Sequence, residues 1–230
     1  MFKKIVRLVC FALLSATLLL ACGCADVNEP EVEEPLEKPL LANKQHPLGE
    51  NYVPEKLSQI PTDLTLYGKN IGMENEAAEA AVQLLRALHE AGYTDIMITS
   101  GYRTYKMQEQ LHERYVLEEM DSRKITREEA EVYASRYSAV AGQSEHQTGL
   151  AVDMYNTGSA DVSFGETEAY KWLRDHAHQY GFILRYPADK TEITGYEFEP
   201  WHYRYVGRYH ATQMYEQGLC LEEYLAQLNG

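Results

Sequence analysis

The chain of 230 residues is long enough for one domain with a sizeable hydrophobic core, together with additional terminal segments. Its formal charge of −14 at pH 7 argues against nucleic-acid binding, because phosphates require a basic surface, and against electrostatic adhesion to an anionic membrane or wall polymer. Of the four cysteines only Cys220 lies within the predicted domain, so we expect a buried free thiol there and neither an internal disulfide nor a thiolate zinc site.

Residues 1–21 have the pattern of a secretion signal. An apolar run over residues 8–21 follows three basic side chains, Lys3, Lys4 and Arg7. The alternative is an uncleaved membrane helix, but the run has about 14 residues, fewer than the ~20 needed to span a bilayer. Leu19-Leu20-Ala21-Cys22 resembles the bacterial lipoprotein cleavage box, in which Cys22 becomes the lipidated first residue. This predicts an extracytoplasmic protein with a lipid anchor on the outer face of the bacterial cytoplasmic membrane.

Residues 22–40 are predicted to be an acidic, proline-rich tether between the lipid and the domain. Glutamate and proline dominate, and no apolar residues recur at a useful period. Such a segment cannot bury enough apolar surface to offset the entropy of ordering. If the leader is removed with its three basic side chains, the formal charge falls from −14 to −17, which strengthens the argument against anionic partners.

Residues 41–230 are predicted to form the single domain. The prolines of residues 43–61 favour an extended segment. Apolar spacing, caps and glycine stops then predict a chain-order series of elements: helix 74–91, strand 95–99, helices 104–119 and 126–140, a strand after residue 149, a loop over 156–165, helix 166–180, strands 182–186 and 195–205 with a turn between them, and helices 208–217 and 221–228. This order indicates an α+β fold, with a small antiparallel sheet flanked by helices.

The stretch SEHQTGLAVD, residues 144–153, carries two candidate metal ligands, His146 and Asp153. Gly149 permits a sharp turn after the histidine. The following residues are predicted to form a short strand, on which Ala151 and Asp153 share a face. The imidazole at the turn and the carboxylate on the strand can therefore converge.

A second motif, EPWH, residues 199–202, supplies His202 as a third candidate ligand. Three nitrogen and oxygen ligands with an open fourth position are typical of catalytic zinc. Glu199 precedes His202 by three residues with Pro200 between them, so an extended segment would bring its carboxylate near the metal without making it a ligand. The sequence thus predicts a zinc centre in which Glu199 is the general base for the attacking water.

Together with SGYRTYKMQ, residues 100–108, the two motifs resemble those of the zinc D-alanyl-D-alanine carboxypeptidases of the VanY type. That family also includes L,D-carboxypeptidases that trim peptidoglycan tetrapeptides. The resemblance covers roughly residues 41–228 and implies the α+β fold already predicted. One departure is the segment Ala141-Gly142-Gln143, where the family often has a Pro-Gly pair, and it concerns the shape of that loop.

The resemblance also implies roles for individual residues. Zn²⁺ is expected on His146, Asp153 and His202, with Glu199 as the catalytic base. Arg103, Gln108 and Ser144 are expected to face the substrate. For Arg103 the chemistry agrees, since a guanidinium binds a terminal carboxylate through two parallel charge-assisted hydrogen bonds. The amide of Gln108 can offer both a donor and an acceptor to a peptide substrate.

The function that these features imply is removal of the terminal D-alanine from peptidoglycan stem peptides by a zinc carboxypeptidase. The sequence leaves open D,D or L,D specificity and the identity of the penultimate residue. Two alternatives are an endopeptidase or dipeptidase acting on the same wall material, and a non-catalytic zinc lipoprotein that binds wall peptides. Retention of Glu199 with all three ligands argues against the second alternative. Expected partners are stem peptides and, through Cys22, the membrane; nothing in the sequence requires more than a monomer.

Overall fold

The structure is a computed structural model and describes residues 35, 37–156 and 160–230. The predicted signal peptide, Cys22 and most of the predicted tether lie outside the described residues. Among the residues that are described, no helix is both long enough and apolar enough to cross a membrane.

A four-stranded antiparallel sheet and a two-stranded antiparallel sheet, combined with seven helices in the described ranges, make up the domain and confirm the α+β class. The helices are α1 (Asn75–Glu90), α2 (Tyr105–Arg123), α3 (Arg127–Ala134), α4 (Glu168–His176), α5 (Thr191–Thr194), α6 (Arg208–Gln217) and α7 (Leu221–Asn229). The strands are β1 (Leu57–Gln59), β2 (Gly72–Glu74), β3 (Met97–Ser100), β4 (Ala151–Tyr155), β5 (Phe182–Leu184) and β6 (His202–Tyr205). The larger sheet has the order β3-β4-β6-β5, and β1 pairs with β2.

The two faces of the larger sheet have different roles. Val152 and Met154 on β4 are fully buried and pack into the main core with Tyr203 from β6. Because side chains alternate along a strand, Asp153 points to the opposite face. The register places Asp153 directly opposite His202 on β6, so both side chains lie on that second face.

Helix α1 covers the core face of the sheet. Six of its apolar side chains recur at helical spacing and are buried: Ala77, Ala78, Ala81, Leu84, Leu85 and Leu88. The Glu74 carboxylate caps the helix by accepting hydrogen bonds from the backbone N–H groups of Glu76 and Ala77. The packed helix fixes the sheet from behind and leaves the polar face free to form a site.

Helices α2 and α3 form a hairpin beside the sheet. A capping box begins α3, with Thr126 and Glu129 each bonded to the other's backbone N–H. A small apolar cluster of Val116, Ala130 and Ala134 holds the two helices together. The predicted helix over 126–140 ends earlier, at Ala134, and the residues after it turn back towards the sheet.

The prediction of a strand over residues 195–205 was wrong for its first part. The strand β6 begins only at His202, because Glu199 to His202 forms a turn in which the His202 N–H donates to the Glu199 carbonyl at 3.2 Å. Pro200 has no N–H to donate to a sheet ladder, which disfavours a strand there. Trp201 is half-buried and lines the cleft described below, whereas Tyr203 is in the core.

Candidate metal centre

Two neighbouring strands and one tight turn bring the three predicted ligands together. Asp153 on β4 and His202 on β6 are cross-strand partners, with His202 Nδ1 3.2 Å from Asp153 Oδ1. His146 lies in the 3₁₀ turn Glu145–Thr148 that precedes β4, and its Nε2 is 3.3 Å from Asp153 Oδ2. One ligand atom from each of the three residues lies within 4.8 Å of the others.

Gly149 makes this convergence possible, as predicted. Its φ of 73° is in the left-handed region, and it ends the turn that carries His146. A Cβ at this position would lie 3.0 Å from the backbone nitrogen of Glu74, so the chain can pass here only with glycine. The Gly149 carbonyl also accepts a hydrogen bond from that same Glu74 nitrogen, which ties the turn to the start of α1.

A backbone carbonyl fixes the His146 ring. Nδ1 of His146 donates to the carbonyl of Gly101 at 2.7 Å. This bond places the ring proton on Nδ1 and leaves the Nε2 lone pair directed at Asp153. His146 is therefore held in the form that can bind a metal through Nε2.

The residues fit a zinc ion. Two imidazoles and a carboxylate suit Zn²⁺, and all three side chains are nearly buried. Asp153 Oδ1 is buried and has no hydrogen-bond partner among the described residues, a state that costs free energy unless a ligand binds there. The donor set and this unpaired oxygen both favour a cation between the three side chains.

At the metal centre, the neighbouring charges shift the pKa values of Asp153 and His202 in the direction opposite to that of burial. Burial alone would raise the pKa of Asp153, but His146 and His202 hold it well below its usual range. Burial alone would lower the pKa of His202, but the Asp153 carboxylate raises it to about 9. The carboxylate is therefore ionised at neutral pH, as a metal ligand must be.

Glu199 lies beside the ligands in the turn before β6. Its Oε2 is 3.5 Å from His202 Nδ1, and the side chain is buried. Burial raises the pKa of Glu199 to about 8. A carboxylate that holds or releases a proton near neutral pH is suited to general acid–base catalysis.

The three residues expected to face the substrate all line the same cleft as the metal centre. The Arg103 guanidinium donates to Gln108 Oε1 at 2.6 Å and to Ser100 Oγ at 3.0 Å. The Gln108 amide in turn donates to the Ala139 carbonyl at 2.6 Å, and the residue is only 1% exposed. Gln108 thus holds Arg103 in place in this structure. Ser144, immediately before the His146 turn, is buried at the cleft wall.

The cleft has a volume of about 730 Å³ and aromatic walls. Tyr186 and Tyr196 line it, with the Tyr186 ring 5.0 Å from the His202 ring and 4.8 Å from the Tyr196 ring. Tyr115 and Tyr137, from the region of the α2–α3 hairpin, also line it. The space is enough for a short peptide.

The motif spacing assigns no role to four charged residues behind His202. We name them the rear charge cluster: Glu145, Arg185, Arg204 and Glu222. Glu145, Arg185 and Arg204 have fully buried side chains, and Glu145 Oε1 accepts from Arg185 Nε at 2.8 Å and from Arg204 at 2.7 Å. A signal was present in the sequence, since both arginines lie in apolar or aromatic runs, FILRY and HYRY, where an unpaired charge would be costly.

The comparisons with known proteins agree with this geometry. The family model described as VanY, D-alanyl-D-alanine carboxypeptidase, matches residues 70–208. This range contains every ligand and cleft residue discussed above and all of the rear charge cluster except Glu222. A D-alanyl-D-alanine carboxypeptidase of Enterococcus faecalis (strain ATCC 700802 / V583) is 40% identical over 189 residues. The aligned region covers 81% of this chain and 65% of that relative, so the chain spans a little under two thirds of the relative's length.

Two solved structures are also similar. One is a zinc complex of a mutant of the vancomycin resistance D,D-pentapeptidase VanY from a VanB-type resistance cassette, with a TM-score of 0.69 and 39% identity. The match covers 81% of this chain and 97% of that one. The other is the LdcB LD-carboxypeptidase, with a TM-score of 0.70, 38% identity, and coverage of 81% and 84% respectively.

Proposed function

Because the chain belongs to the VanY family of D-alanyl-D-alanine carboxypeptidases, we propose that it is a zinc carboxypeptidase that removes the terminal D-alanine from peptidoglycan stem peptides. The observation that carries this proposal is the meeting of three ligand atoms within 4.8 Å at the base of a cleft, with the buried Glu199 carboxylate beside them and the Arg103 guanidinium in the same cleft. This arrangement combines a hydrolytic centre with a receptor for a terminal carboxylate.

His146, Asp153 and His202 would hold the zinc ion. When bound, zinc supplies a Lewis acid that polarises a carbonyl and makes water nucleophilic at neutral pH. Glu199 takes a proton from the attacking water on its carboxylate and transfers it to the nitrogen of the departing D-alanine. The water oxygen forms the new bond to the carbonyl carbon, the C–N bond breaks, and the base is regenerated. Its raised pKa of about 8 suits both proton transfers.

Arg103 binds the substrate carboxylate and so places the last peptide bond at the centre. Its guanidinium is oriented by Gln108 and Ser100 before any substrate arrives. A preorganised cation costs less entropy on binding than one that must first be ordered. Tyr186 and Tyr196 line the same cleft, so their rings would help to exclude water from a bound substrate.

Arg103 favours an exopeptidase over the endopeptidase alternative, because it is a receptor for a terminal carboxylate within the cleft. Retention of the buried Glu199 beside all three ligands is the reason to prefer an enzyme to a non-catalytic wall-peptide receptor. Specificity for D-Ala-D-Ala pentapeptides or for L,D bonds of tetrapeptides is decided by the experiment below, since similar structures of both kinds exist.

Mass spectrometry of defined stem peptides tests the activity. The protein is loaded with zinc and incubated with pentapeptide or tetrapeptide, with and without a chelator. Loss of one D-alanine from the pentapeptide alone indicates a D,D-carboxypeptidase, and loss from the tetrapeptide indicates the L,D type. A substrate amidated at its C-terminus and still cleaved efficiently would favour the endopeptidase. Absence of any chelator-sensitive cleavage would contradict the proposed activity.

We also infer that the protein acts outside the cytoplasmic membrane as a monomeric lipoprotein anchored through Cys22. The support is the basic leader, the short apolar run and the box Leu19-Leu20-Ala21-Cys22. Peptidoglycan lies in the same compartment, so anchor and substrate are consistent. Mass spectrometry of the mature N-terminus tests this inference, and a diacylated Cys22 is expected. An uncleaved N-terminus, or absence of the protein from the membrane fraction, would contradict it. Cys22→Ser should abolish the lipid-modified form.

A further inference from the structure

The rear charge cluster uses only one oxygen of Glu145. Oε1 accepts hydrogen bonds from both Arg185 and Arg204, at 2.8 and 2.7 Å. The remaining guanidinium nitrogens of Arg185 bind Glu222 in a fork, NH1 to Oε2 at 2.9 Å and NH2 to Oε1 at 2.6 Å. Those of Arg204 bind the carbonyls of Leu40 and Tyr205. Both arginines are therefore satisfied without the second oxygen of Glu145.

That second oxygen faces the metal centre. Glu145 Oε2 is 3.8 Å from His202 Nε2, which is beyond hydrogen-bonding distance. Both atoms are buried, and within the described residues neither has a hydrogen-bond partner. The Glu145 oxygen is a hydrogen-bond acceptor and the His202 nitrogen is a potential donor, and they lie opposite one another. Leaving either of them unpaired costs free energy. A small rotation of either side chain would join them.

We propose that Glu145 is a positioning residue for the metal centre. Its Oε2 accepts the Nε2–H of His202 and thereby leaves Nδ1 as the nitrogen that binds zinc. The inference rests on the proposed zinc function. The Gly101 carbonyl accepts the Nδ1–H of His146 and so fixes the tautomer of that ring. Glu145 has the same role for His202, but it accepts from Nε2 and its acceptor is a charged carboxylate. A carboxylate acceptor fixes the ring and increases the basicity of the coordinating nitrogen.

The geometry separates this role from a purely structural one. An ion cluster built only for packing would use both oxygens of a buried carboxylate, as Glu222 does with Arg185. Arg185 and Arg204 instead hold Glu145 by one oxygen, and their own side chains are fully buried. The other oxygen is thereby held close to the ligand, 3.8 Å from His202 Nε2. The two arginines act as a rigid support for one hydrogen bond to the metal-binding histidine.

Zinc affinity of matched variants of the full chain tests the proposal. Glu145→Gln replaces the carboxylate with a neutral amide, which can place an N–H against His202 and favour the wrong tautomer. Glu222→Gln is the control, since it weakens the same cluster without touching the oxygen that faces His202. Loss of a hydrogen-bond partner of a metal-binding histidine usually lowers metal affinity by roughly 10- to 100-fold, and we expect a loss of that size for Glu145→Gln by chelator competition. For Glu222→Gln we expect a change in zinc affinity of less than about threefold. Unchanged affinity in Glu145→Gln, or equal losses in both variants, would overturn the proposal.

A spectroscopic measurement on the unmodified protein provides a second test that does not depend on folding of a variant. In the zinc-loaded wild type, ¹⁵N NMR of the His202 ring should show a proton on Nε2 and none on Nδ1. A proton on Nδ1 would contradict the proposed role. A wild type that does not bind zinc would refute the proposed function. A wild type that binds zinc through Nδ1, together with a Glu145→Gln variant of unchanged zinc affinity, would refute only the positioning role.

Discussion

His202 has a different environment on each of its two sides. Towards the cleft, its Nδ1 faces the carboxylates of Asp153 and Glu199, and Asp153 Oδ1 is buried without a hydrogen-bond partner among the described residues. Towards the rear, Arg185 and Glu222 are paired in a fork of two hydrogen bonds, and Glu145 Oε2 lies opposite His202 Nε2. Both sides are buried and strongly charged, but the unpaired atoms of the rear side face each other, whereas the unpaired oxygen of the cleft side belongs to one of the three metal ligands.

The difference shows which buried charges serve binding and which serve support. A buried polar atom without a partner costs about 1–3 kcal/mol, so a protein retains one only where a ligand will satisfy it or where a fold demands it. Paired charges at the rear add little net stability but hold one geometry. Activity is therefore expected to depend most sharply on the cleft side, whereas the rear side is expected to act through geometry, chiefly through the orientation of His202 by Glu145. The predictions below follow that division.

His202→Ala should have the largest effect, because it removes a ligand. Two protein ligands rarely hold a catalytic ion, so we expect zinc affinity to fall by at least about 10³-fold and carboxypeptidase activity to be lost with it. Chelator competition and peptide assays measure the two effects. Retention of stoichiometric zinc at wild-type affinity would show that the ion lies elsewhere.

Glu199→Gln should separate catalysis from metal binding. The amide keeps the size of the side chain but cannot accept a proton, so kcat should fall by about 10²- to 10⁴-fold while zinc remains bound. Metal content and single-turnover rates are measured on the same sample. Loss of zinc in this variant would mean that Glu199 is a ligand instead of the base.

Arg103→Met should weaken recognition of the substrate carboxylate. Loss of charge-assisted hydrogen bonds is expected to lower kcat/KM by roughly 10- to 100-fold, mainly through KM. The wild type should also prefer a free C-terminus to an amidated one, and the variant should lose that preference. Arg114→Met is a matched control, since Arg114 also lines the cleft but is exposed and pairs with Glu118. Equal effects of the two substitutions on kcat/KM would show that Arg103 has no specific role in binding the substrate carboxylate.

The metal-free protein should lose stability as the pH rises from about 5 to 9. Burial raises the pKa of Glu199 from 4.5 to about 8, and the Asp153 carboxylate, acting against burial, raises that of His202 from 6.5 to about 9. In that window the folded state holds protons that the unfolded state has released, so rising pH favours unfolding. We expect Tm to fall by roughly 5–10 °C with chelator present, and by much less with zinc bound.

Glu199→Gln provides the control for this pH dependence, because it removes one of the two cleft-side groups whose pKa is raised into this window. Its metal-free Tm should fall less steeply between pH 5 and 8 than that of the wild type. Glu145 itself should not titrate in this window, since Arg185 and Arg204 offset burial and hold its pKa well below this range. A Tm of the metal-free wild type that is constant or rises over the window would contradict the assignment.

Local sequence patterns predicted most of the helices and the convergence of His146 with Asp153, because both depend on periodicity and on one glycine turn. They did not predict the turn that carries Glu199, where the missing N–H of Pro200 mattered more than the apolar character of the segment. The three-residue strands β1 and β2 were also missed, since so short a run has no detectable period.

The rear charge cluster could not be predicted from the spacing of residues in the sequence, for a different reason. Its ion pairs join residues that are about 40 to 60 positions apart, and Arg204 lies opposite Ile183 only because of the register between β5 and β6. Register is set by packing of the whole sheet. By contrast Cys220 is buried, as its isolation within the predicted domain indicated, and it has no disulfide partner among the residues that the structure describes.

Anomalous diffraction at the zinc edge from crystals of the zinc-loaded protein tests the central claim most directly. One peak is expected between His146 Nε2, the Asp153 carboxylate and His202 Nδ1, with Glu199 near it but outside bonding distance. A peak at any other position, or a His202 ring that binds zinc through Nε2 and faces away from Glu145, would contradict the division between the two sides of His202.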